Sequence, residues 1–119
     1  MAAILVVEDD LATSEFFAEF LSWNGYESHV AASGAEALAI VKKRVVDAVL
    51  LDYRLPDVDG EKLCPQLRAT LGDSIPIILL TGDYAVGRDE MDRDCCVSEY
   101  LRKPIEPAAL LGRLTALVA

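Results

Sequence analysis

Polar residues stand at the carboxyl ends of several short apolar runs, and their chemical types suit one another. Glu8 and Asp9 follow the first of these runs, Asp52 and Thr81 each follow a later one, and Lys103 follows the short segment 100–102. Carboxylates held close together repel one another, and a hard, oxygen-seeking cation such as Mg²⁺ relieves that repulsion. A hydroxyl and an ammonium group are donors suited to a tetrahedral oxyanion. Together these residues predict phosphoryl transfer onto a carboxylate, with a metal ion neutralising the incoming charge.

A regular alternation of segments must position these residues. Short apolar runs alternate with longer stretches whose apolar residues recur at helical spacing. This alternation is typical of a parallel sheet covered by helices on both faces, and in such sheets sites lie at the carboxyl ends of the strands. The predicted strands are 4–7, 27–31, 48–51, 75–80 and 100–102. The predicted helices are 11–24, 61–71 and 107–118, with one more that begins at a capping box in residues 33–36.

Length and composition narrow the class of protein. The 119 residues suffice for a single domain, 1–119, and the 53% hydrophobic content excludes intrinsic disorder. No apolar run reaches the roughly 18 residues that a membrane span needs. A net charge of −9 argues against direct nucleic-acid binding. The sequence therefore predicts a cytoplasmic domain without nucleic-acid or membrane partners, and reduced thiols at its three cysteines.

The same residues lie in motifs that resemble the receiver domain of two-component response regulators along the whole chain. Each motif alone is weakly specific, but their order and spacing together are strongly so. The resemblance implies an α/β fold, a three-layer α/β/α sandwich around a doubly wound, five-stranded parallel sheet of the flavodoxin-like strand order 2-1-3-4-5. The matching segments are residues 6–10, 50–56, 59–60, 79–82 and 100–104.

The resemblance also implies a role for each acidic residue at the strand ends. Asp52 would accept a phosphoryl group from a histidine of a partner histidine kinase or histidine phosphotransfer protein. Asp9, Asp52 and the backbone carbonyl of Arg54 would bind Mg²⁺, and Glu8 would assist through a metal-bound water. Asp10 matches a variable position, and we predict that it caps the helix that follows instead.

The remaining implied roles concern the phosphoryl group after transfer. Lys103 would contact it, Thr81 would follow it, and Tyr100 would swing inward as Thr81 moves. The alternative for Tyr100 is an aromatic side chain packed on its strand. The bond from Lys103 to Pro104 is implied to be cis. Such a domain is not an enzyme, although it assists its own Mg²⁺-dependent phosphorylation and dephosphorylation. It passes the signal to an unknown effector and is a monomer or a weak homodimer.

Three features depart from the family pattern. Residues 84–96, where the family has its fourth helix, contain a glycine and lack an apolar stripe, so we expect a short, irregular or mobile element there. Pro65 falls within the third predicted helix, where it removes a hydrogen bond unless it lies in the first turn. Arg54 and Asp83 occupy variable positions beside the phosphorylation site, and we expect them to regulate access to it.

Two other functions compete with the receiver interpretation. Phosphatases that resemble haloacid dehalogenases also place a nucleophilic aspartate after a buried strand, but they carry a second aspartate two residues later, where this sequence has Arg54. The second alternative is a pseudo-receiver, a protein-interaction module that works without phosphorylation. The complete set of acidic, hydroxyl and lysine residues argues against it.

Overall fold

A computed structural model describes residues 1–82 and 97–118. The predicted irregular element at 84–96 and the predicted gating residue Asp83 lie outside them. In the described part, none of the element boundaries that the sequence predicted differs from the observed one by more than two residues. The strands are β1 (Ala3–Val7), β2 (Glu27–Ala31), β3 (Ala48–Asp52), β4 (Ile77–Thr81) and β5 (Glu99–Arg102), and the helices are α1 (Leu11–Trp23), α2 (Gly34–Lys43), α3 (Gly60–Leu71) and α4 (Pro107–Val118).

The strands form one parallel sheet in the order β2-β1-β3-β4-β5. This order confirms the predicted doubly wound, flavodoxin-like topology. The connection after β1 leads to β2 at one edge of the sheet, whereas the connection after β3 leads to β4 on the side of the other edge. The two connections therefore leave the neighbouring strands β1 and β3 in opposite directions. A crevice therefore opens at the carboxyl ends of β1 and β3, which is where ligands bind in open sheets of this kind.

The sheet separates two apolar layers, because successive residues of each strand point to opposite faces. One layer joins the sheet to α2 and α3, and the other joins it to α1 and α4. The predicted three-layer sandwich is thereby confirmed. All residues of β1, β3 and β4 are buried, which explains why these strands are continuous apolar runs in the sequence. No helix in residues 1–82 or 97–118 is long and apolar enough to cross a membrane.

Local side-chain contacts explain where the first two helices begin. Asp10 caps α1, as predicted, by accepting a hydrogen bond from the amide of Thr13 at 3.1 Å. Ser33 caps α2 by accepting from the amide of Glu36 at 3.2 Å, and the Glu36 carboxylate reaches back to the amide of Ala32 at 3.1 Å. Each contact satisfies a backbone donor that a helix leaves unpaired at its start.

Helix α3 contains a proline and a disulfide-bonded cysteine at two neighbouring positions. Pro65 lies inside the helix, beyond its first turn. It therefore removes the helical donor for the carbonyl of Glu61, and the helix nevertheless continues to Leu71. Cys64 is fully buried and disulfide-bonded, so the prediction of a reduced thiol is wrong for this residue.

Candidate functional site

Three carboxylates meet at the crevice between β1 and β3. Glu8 and Asp9 follow β1 directly, and Asp52 is the last residue of β3. One oxygen of each carboxylate lies within 4.8 Å of one oxygen of the other two. The two strands are paired in parallel with Val7 beside Leu51. The backbone ladder itself therefore holds the acidic residues next to one another.

The three acidic side chains differ in exposure. Glu8 and Asp52 are 5% and 6% exposed, whereas Asp9 faces solvent. Burial, followed by hydrogen bonding to Asp52 and repulsion from it, raises the pKa of Glu8 to about 8. The Oε2 atom of Glu8 is buried and has no hydrogen-bond partner within residues 1–82 and 97–118. A buried carboxyl oxygen without a hydrogen-bond partner, beside two further acidic side chains, fits the ligand set of a hard cation such as Mg²⁺.

Lys103 brings a positive charge to this acidic cluster. Its Nζ atom lies 2.8 Å from Oδ1 of Asp52 and 3.8 Å from Oε2 of Glu8. The end of β5 places it there, since the amide of Lys103 donates to the carbonyl of Thr81 at 2.8 Å. The peptide bond that follows, to Pro104, is cis, the geometry that the resemblance implies. The Lys103 ammonium thus lies against a cluster of three acidic side chains, and such a cluster can also attract a divalent cation.

A cleft of about 370 Å³ lies beside the carboxylate of Asp52. Its lining includes Tyr53 and Arg54 from the loop after β3, Gly82 from the end of β4, and Lys103. The cleft is large enough for a small anionic group next to both the Asp52 carboxylate and the lysine ammonium. The arrangement can thus bring a nucleophilic oxygen, a cation and an incoming phosphoryl group together.

The structure places the remaining predicted site residues as follows. Thr81 is buried at the end of β4, which pairs with β3, so its residue position adjoins that of Asp52. Tyr100 lies in β5 opposite Leu79 and packs, partly buried, against the apolar layer of α2 and α3. Arg54 is exposed.

Gly60, part of the quoted Asp59-Gly60 motif, has a structural role that the sequence did not reveal. Its amide donates to the carbonyl of Tyr53 at 2.6 Å, which closes the loop after β3. A Cβ atom at this position would lie 2.5 Å from the carbonyl oxygen of Asp52. Only glycine therefore lets α3 begin so close to the backbone of Asp52.

Sequence reasoning missed Asp57 entirely. Its Oδ1 and Oδ2 atoms accept hydrogen bonds from the amides of Gly34 and Ala35 at 2.9 and 3.0 Å. These amides belong to the first turn of α2, more than twenty residues earlier in the chain. The signal that could have revealed this contact is an acidic residue in a loop on the same edge of the sheet as a helix start.

Comparison with known proteins decides the family. The sequence model of the response regulator receiver domain matches residues 4–115. The chain belongs to this family. Relatives of this receiver domain include the response regulator MprA of Mycobacterium sp. (strain KMS), 42% identical over 115 residues, and MprA of Mycobacterium leprae (strain TN), 41% identical over 115 residues. Each alignment covers 97% of this chain and 50% of the relative, so the receiver domain spans about half the length of these curated relatives.

Solved structures share the fold of this receiver domain. A CheY-like receiver domain from Methanospirillum hungatei JF-1 superposes with a TM-score of 0.90 at 27% identity, covering 99% of this chain and 94% of that one. The receiver domain of the sensor histidine kinase PA1611 from Pseudomonas aeruginosa PAO1 has a TM-score of 0.84 at 31% identity, covering 98% and 97%. That second protein was solved with a magnesium ion coordinated in its active-site cleft.

Proposed function

We propose that this receiver domain accepts a phosphoryl group onto the carboxylate of Asp52 from a phosphohistidine of a histidine kinase or phosphotransfer protein. The observation that carries the proposal is the position of Asp52. Its carboxylate is held at the rigid end of a buried strand, beside a cleft, with the Lys103 ammonium 2.8 Å from Oδ1. Cytoplasmic kinases and effectors are the partners that such a domain requires.

The transfer is a nucleophilic displacement at phosphorus. An oxygen of Asp52 forms a bond to phosphorus in line with the phosphorus–nitrogen bond of the donor, which breaks and returns its electron pair to the imidazole. Lys103, already paired with the nucleophile, would turn its charge toward the phosphoryl oxygens. Thr81 would donate its hydroxyl to the same group, and Tyr100 would follow into the space that Thr81 leaves. The domain is itself the substrate and turns over no other molecule.

A metal ion completes this site in our proposal. Asp9, Asp52 and the main-chain carbonyl of Arg54 would hold Mg²⁺, with Glu8 behind a bound water. When bound, the ion supplies positive charge that offsets the charge of the incoming phosphoryl group. The support is the cluster of three acidic side chains and the buried Oε2 atom of Glu8, which lies 3.8 Å from the Lys103 ammonium but has no hydrogen-bond partner within the described residues.

The partner that donates the phosphoryl group would dock on α1 beside the cleft. A groove of about 390 Å³ runs between α1 and the connection from β5 to α4, with Phe16, Pro104 and Ile105 in its lining. Lys103 lines both this groove and the cleft, so a histidine delivered to Asp52 brings its protein over the groove. Phe16 and Trp23 are 48% and 78% exposed, which provides apolar area for a partner helix.

The test is phosphorylation by acetyl phosphate in Mg²⁺ buffer, followed by intact mass and by mapping of the labile site. We expect wild type to gain one phosphoryl group and Asp52→Asn to gain none. Asp73→Asn is the matched control, because Asp73 is an exposed aspartate near the opposite end of the sheet. Label retained in Asp52→Asn would refute the assignment of the phosphoacceptor. A wild type that takes up no phosphoryl group from any donor would favour the pseudo-receiver alternative.

A further inference from the structure

The loop between β3 and α3, residues 53–59, is closed at its base by the backbone. The amide of Gly60 donates to the carbonyl of Tyr53, and Arg54 and Asp59 form an antiparallel bridge. This loop carries the Arg54 carbonyl that we assign to the metal. The bridge brings the two ends of the loop together but leaves its tip to be held by other contacts.

Contacts with α2 hold that tip. The two carboxylate oxygens of Asp57 accept from the amides of Gly34 and Ala35 at 2.9 and 3.0 Å. Beside them, Cγ1 of Val58 lies 2.6 Å from the position that a Cβ atom of residue 34 would take. The absence of a side chain at Gly34 is therefore what lets the loop tip approach the helix so closely.

Ser33 and Asp57 accept from different amides in the first turn of α2. Ser33 accepts from the amide of Glu36, whereas Asp57 accepts from the amides of Gly34 and Ala35. A carboxylate is favourable at a helix start, because the unpaired amides carry partial positive charge. The same hydrogen bonds lower the pKa of Asp57, because they favour the ionised form of its carboxylate.

We propose that Asp57 is a positioning residue for the metal and phosphoryl site, which ties the tip of loop 53–59 to α2 and thereby holds the Arg54 carbonyl in place for Mg²⁺. The inference rests on the proposed function, which supplies the role of that carbonyl. Asp57 acts through the loop and not by contact with the reacting atoms. Coupling of this kind is reciprocal, so occupancy of the metal site also changes the surroundings of Gly34 and Ala35.

Magnesium titration followed by NMR tests the coupling. In wild type, Mg²⁺ should shift the amide resonances of Gly34 and Ala35 as well as those at the strand ends. Asp57→Ala should bind Mg²⁺ about tenfold more weakly, which is the smaller of the losses in metal affinity seen when a residue that supports a ligand is removed. It should also lose the Mg²⁺-dependent shifts of the α2 amides. Asp57→Asn should fall between the two, because its amide oxygen can accept one of the two hydrogen bonds and its NH₂ group can accept none.

Ser33→Ala is the matched control, because it removes a cap from the same helix end without touching the loop. It should lower the melting temperature, as Asp57→Ala should, and leave the Mg²⁺ affinity unchanged. A second measurement needs no metal. With a chelator present, the Gly60 amide, which closes the loop, should exchange about tenfold faster in Asp57→Ala than in wild type or Ser33→Ala, because a loop without its tie to α2 opens locally more often.

The outcomes separate this inference from the proposed function. A wild type without Mg²⁺ affinity would overturn the metal site, and Gly60 exchange would then decide whether Asp57 orders the loop. Folded Asp57→Ala with wild-type affinity and wild-type Gly60 exchange would overturn the positioning role. So would a loss of affinity in Ser33→Ala as large as that in Asp57→Ala.

Discussion

The two ends of the sheet use charged side chains in opposite ways. At the amino end, the guanidinium of Arg68 donates to the carbonyls of Gly72 and Ile75, the former at 3.0 Å. The carboxylate of Asp47 accepts from the amide of Ala3 at 2.7 Å, where β1 begins. These side chains satisfy backbone groups and fasten turns, which is the ordinary condition of polar groups in a folded chain.

At the carboxyl end, charged side chains face one another instead. Glu8, Asp9 and Asp52 converge, with Lys103 as the cation beside them, and one oxygen of Glu8 has no hydrogen-bond partner in the described part of the chain. Charged side chains thus bind backbone groups at one end of the sheet and are gathered around one another at the other end. A buried carboxyl group with a strongly raised pKa and an oxygen that lacks a hydrogen-bond partner, such as Glu8, is typical of a functional site.

The largest contrast is expected for aspartate substitutions at the two ends. Asp9→Ala removes a direct metal ligand in our proposal. Loss of a residue that only supports a ligand lowers metal affinity by up to about 100-fold, so loss of the ligand itself should lower Mg²⁺ affinity by about 100-fold or more. Asp47→Ala should destabilise the fold and leave the affinity unchanged. Mg²⁺ titration by NMR or by Tyr53 fluorescence measures both. Equal affinity in wild type and Asp9→Ala would contradict the metal assignment.

The raised pKa of Glu8 predicts that the stability of the fold depends on pH. A pKa raised from 4.5 to about 8 means that the folded chain keeps a proton that the unfolded chain releases within that interval. In metal-free buffer, the free energy of unfolding should therefore fall as pH rises from 4.5 to 8. Between pH 6 and pH 8 the loss should be about 2 kcal/mol.

The variant Glu8→Gln isolates that contribution, because glutamine mimics the protonated acid and does not titrate. Denaturant unfolding at several pH values, with a chelator present, should show a smaller loss of stability in this variant than in wild type. Mg²⁺ should reduce the pH dependence of wild type, because the cation favours the ionised carboxylate. Parallel pH profiles in wild type and Glu8→Gln would show that Glu8 is not the titrating group.

At the amino end, Arg68→Ala should lower the free energy of unfolding by about 1.5 kcal/mol, since it removes charge-assisted hydrogen bonds to backbone carbonyls. Arg68→Lys should restore only part of the loss, because lysine lacks the planar fork of donors. Phosphorylation of Asp52 should be unchanged in both variants. If Arg68→Ala has the same free energy of unfolding as wild type, the hydrogen bonds of Arg68 to these carbonyls do not stabilise the fold.

The comparison also explains what the sequence could predict. The buried strands β1 and β3 are apolar runs, so their ends, and with them Asp9 and Asp52, could be located from local patterns alone. Lys103 follows the partly buried strand β5, and it was located by the motif of residues 100–104. Asp57 could not be found in this way, because its helix partner lies more than twenty residues away and is brought close only by the fold. For the same reason, sequence alone did not show that Glu8 is buried while Asp9 is exposed.

The smallest effect is expected at the mouth of the cleft, where Arg54 is exposed and lines the opening beside Asp52. A water that hydrolyses the acyl phosphate must approach in line with the bond that breaks, and a long arginine side chain can cover that approach. An exposed ion pair with a carboxylate such as Asp83, outside the described residues, contributes about 0–1 kcal/mol, so the cover would be dynamic.

Arg54→Ala should therefore shorten the lifetime of the phosphoryl group, by up to about tenfold if the barrier falls by about 1.4 kcal/mol. Asp83→Ala should have a smaller effect, because the arginine would lose only its tether. Arg54→Lys is the control that keeps a long cationic side chain, and it should lie between wild type and Arg54→Ala. Dephosphorylation rates in one Mg²⁺ buffer decide the matter, and unchanged rates in both alanine variants would leave neither residue with a role in gating.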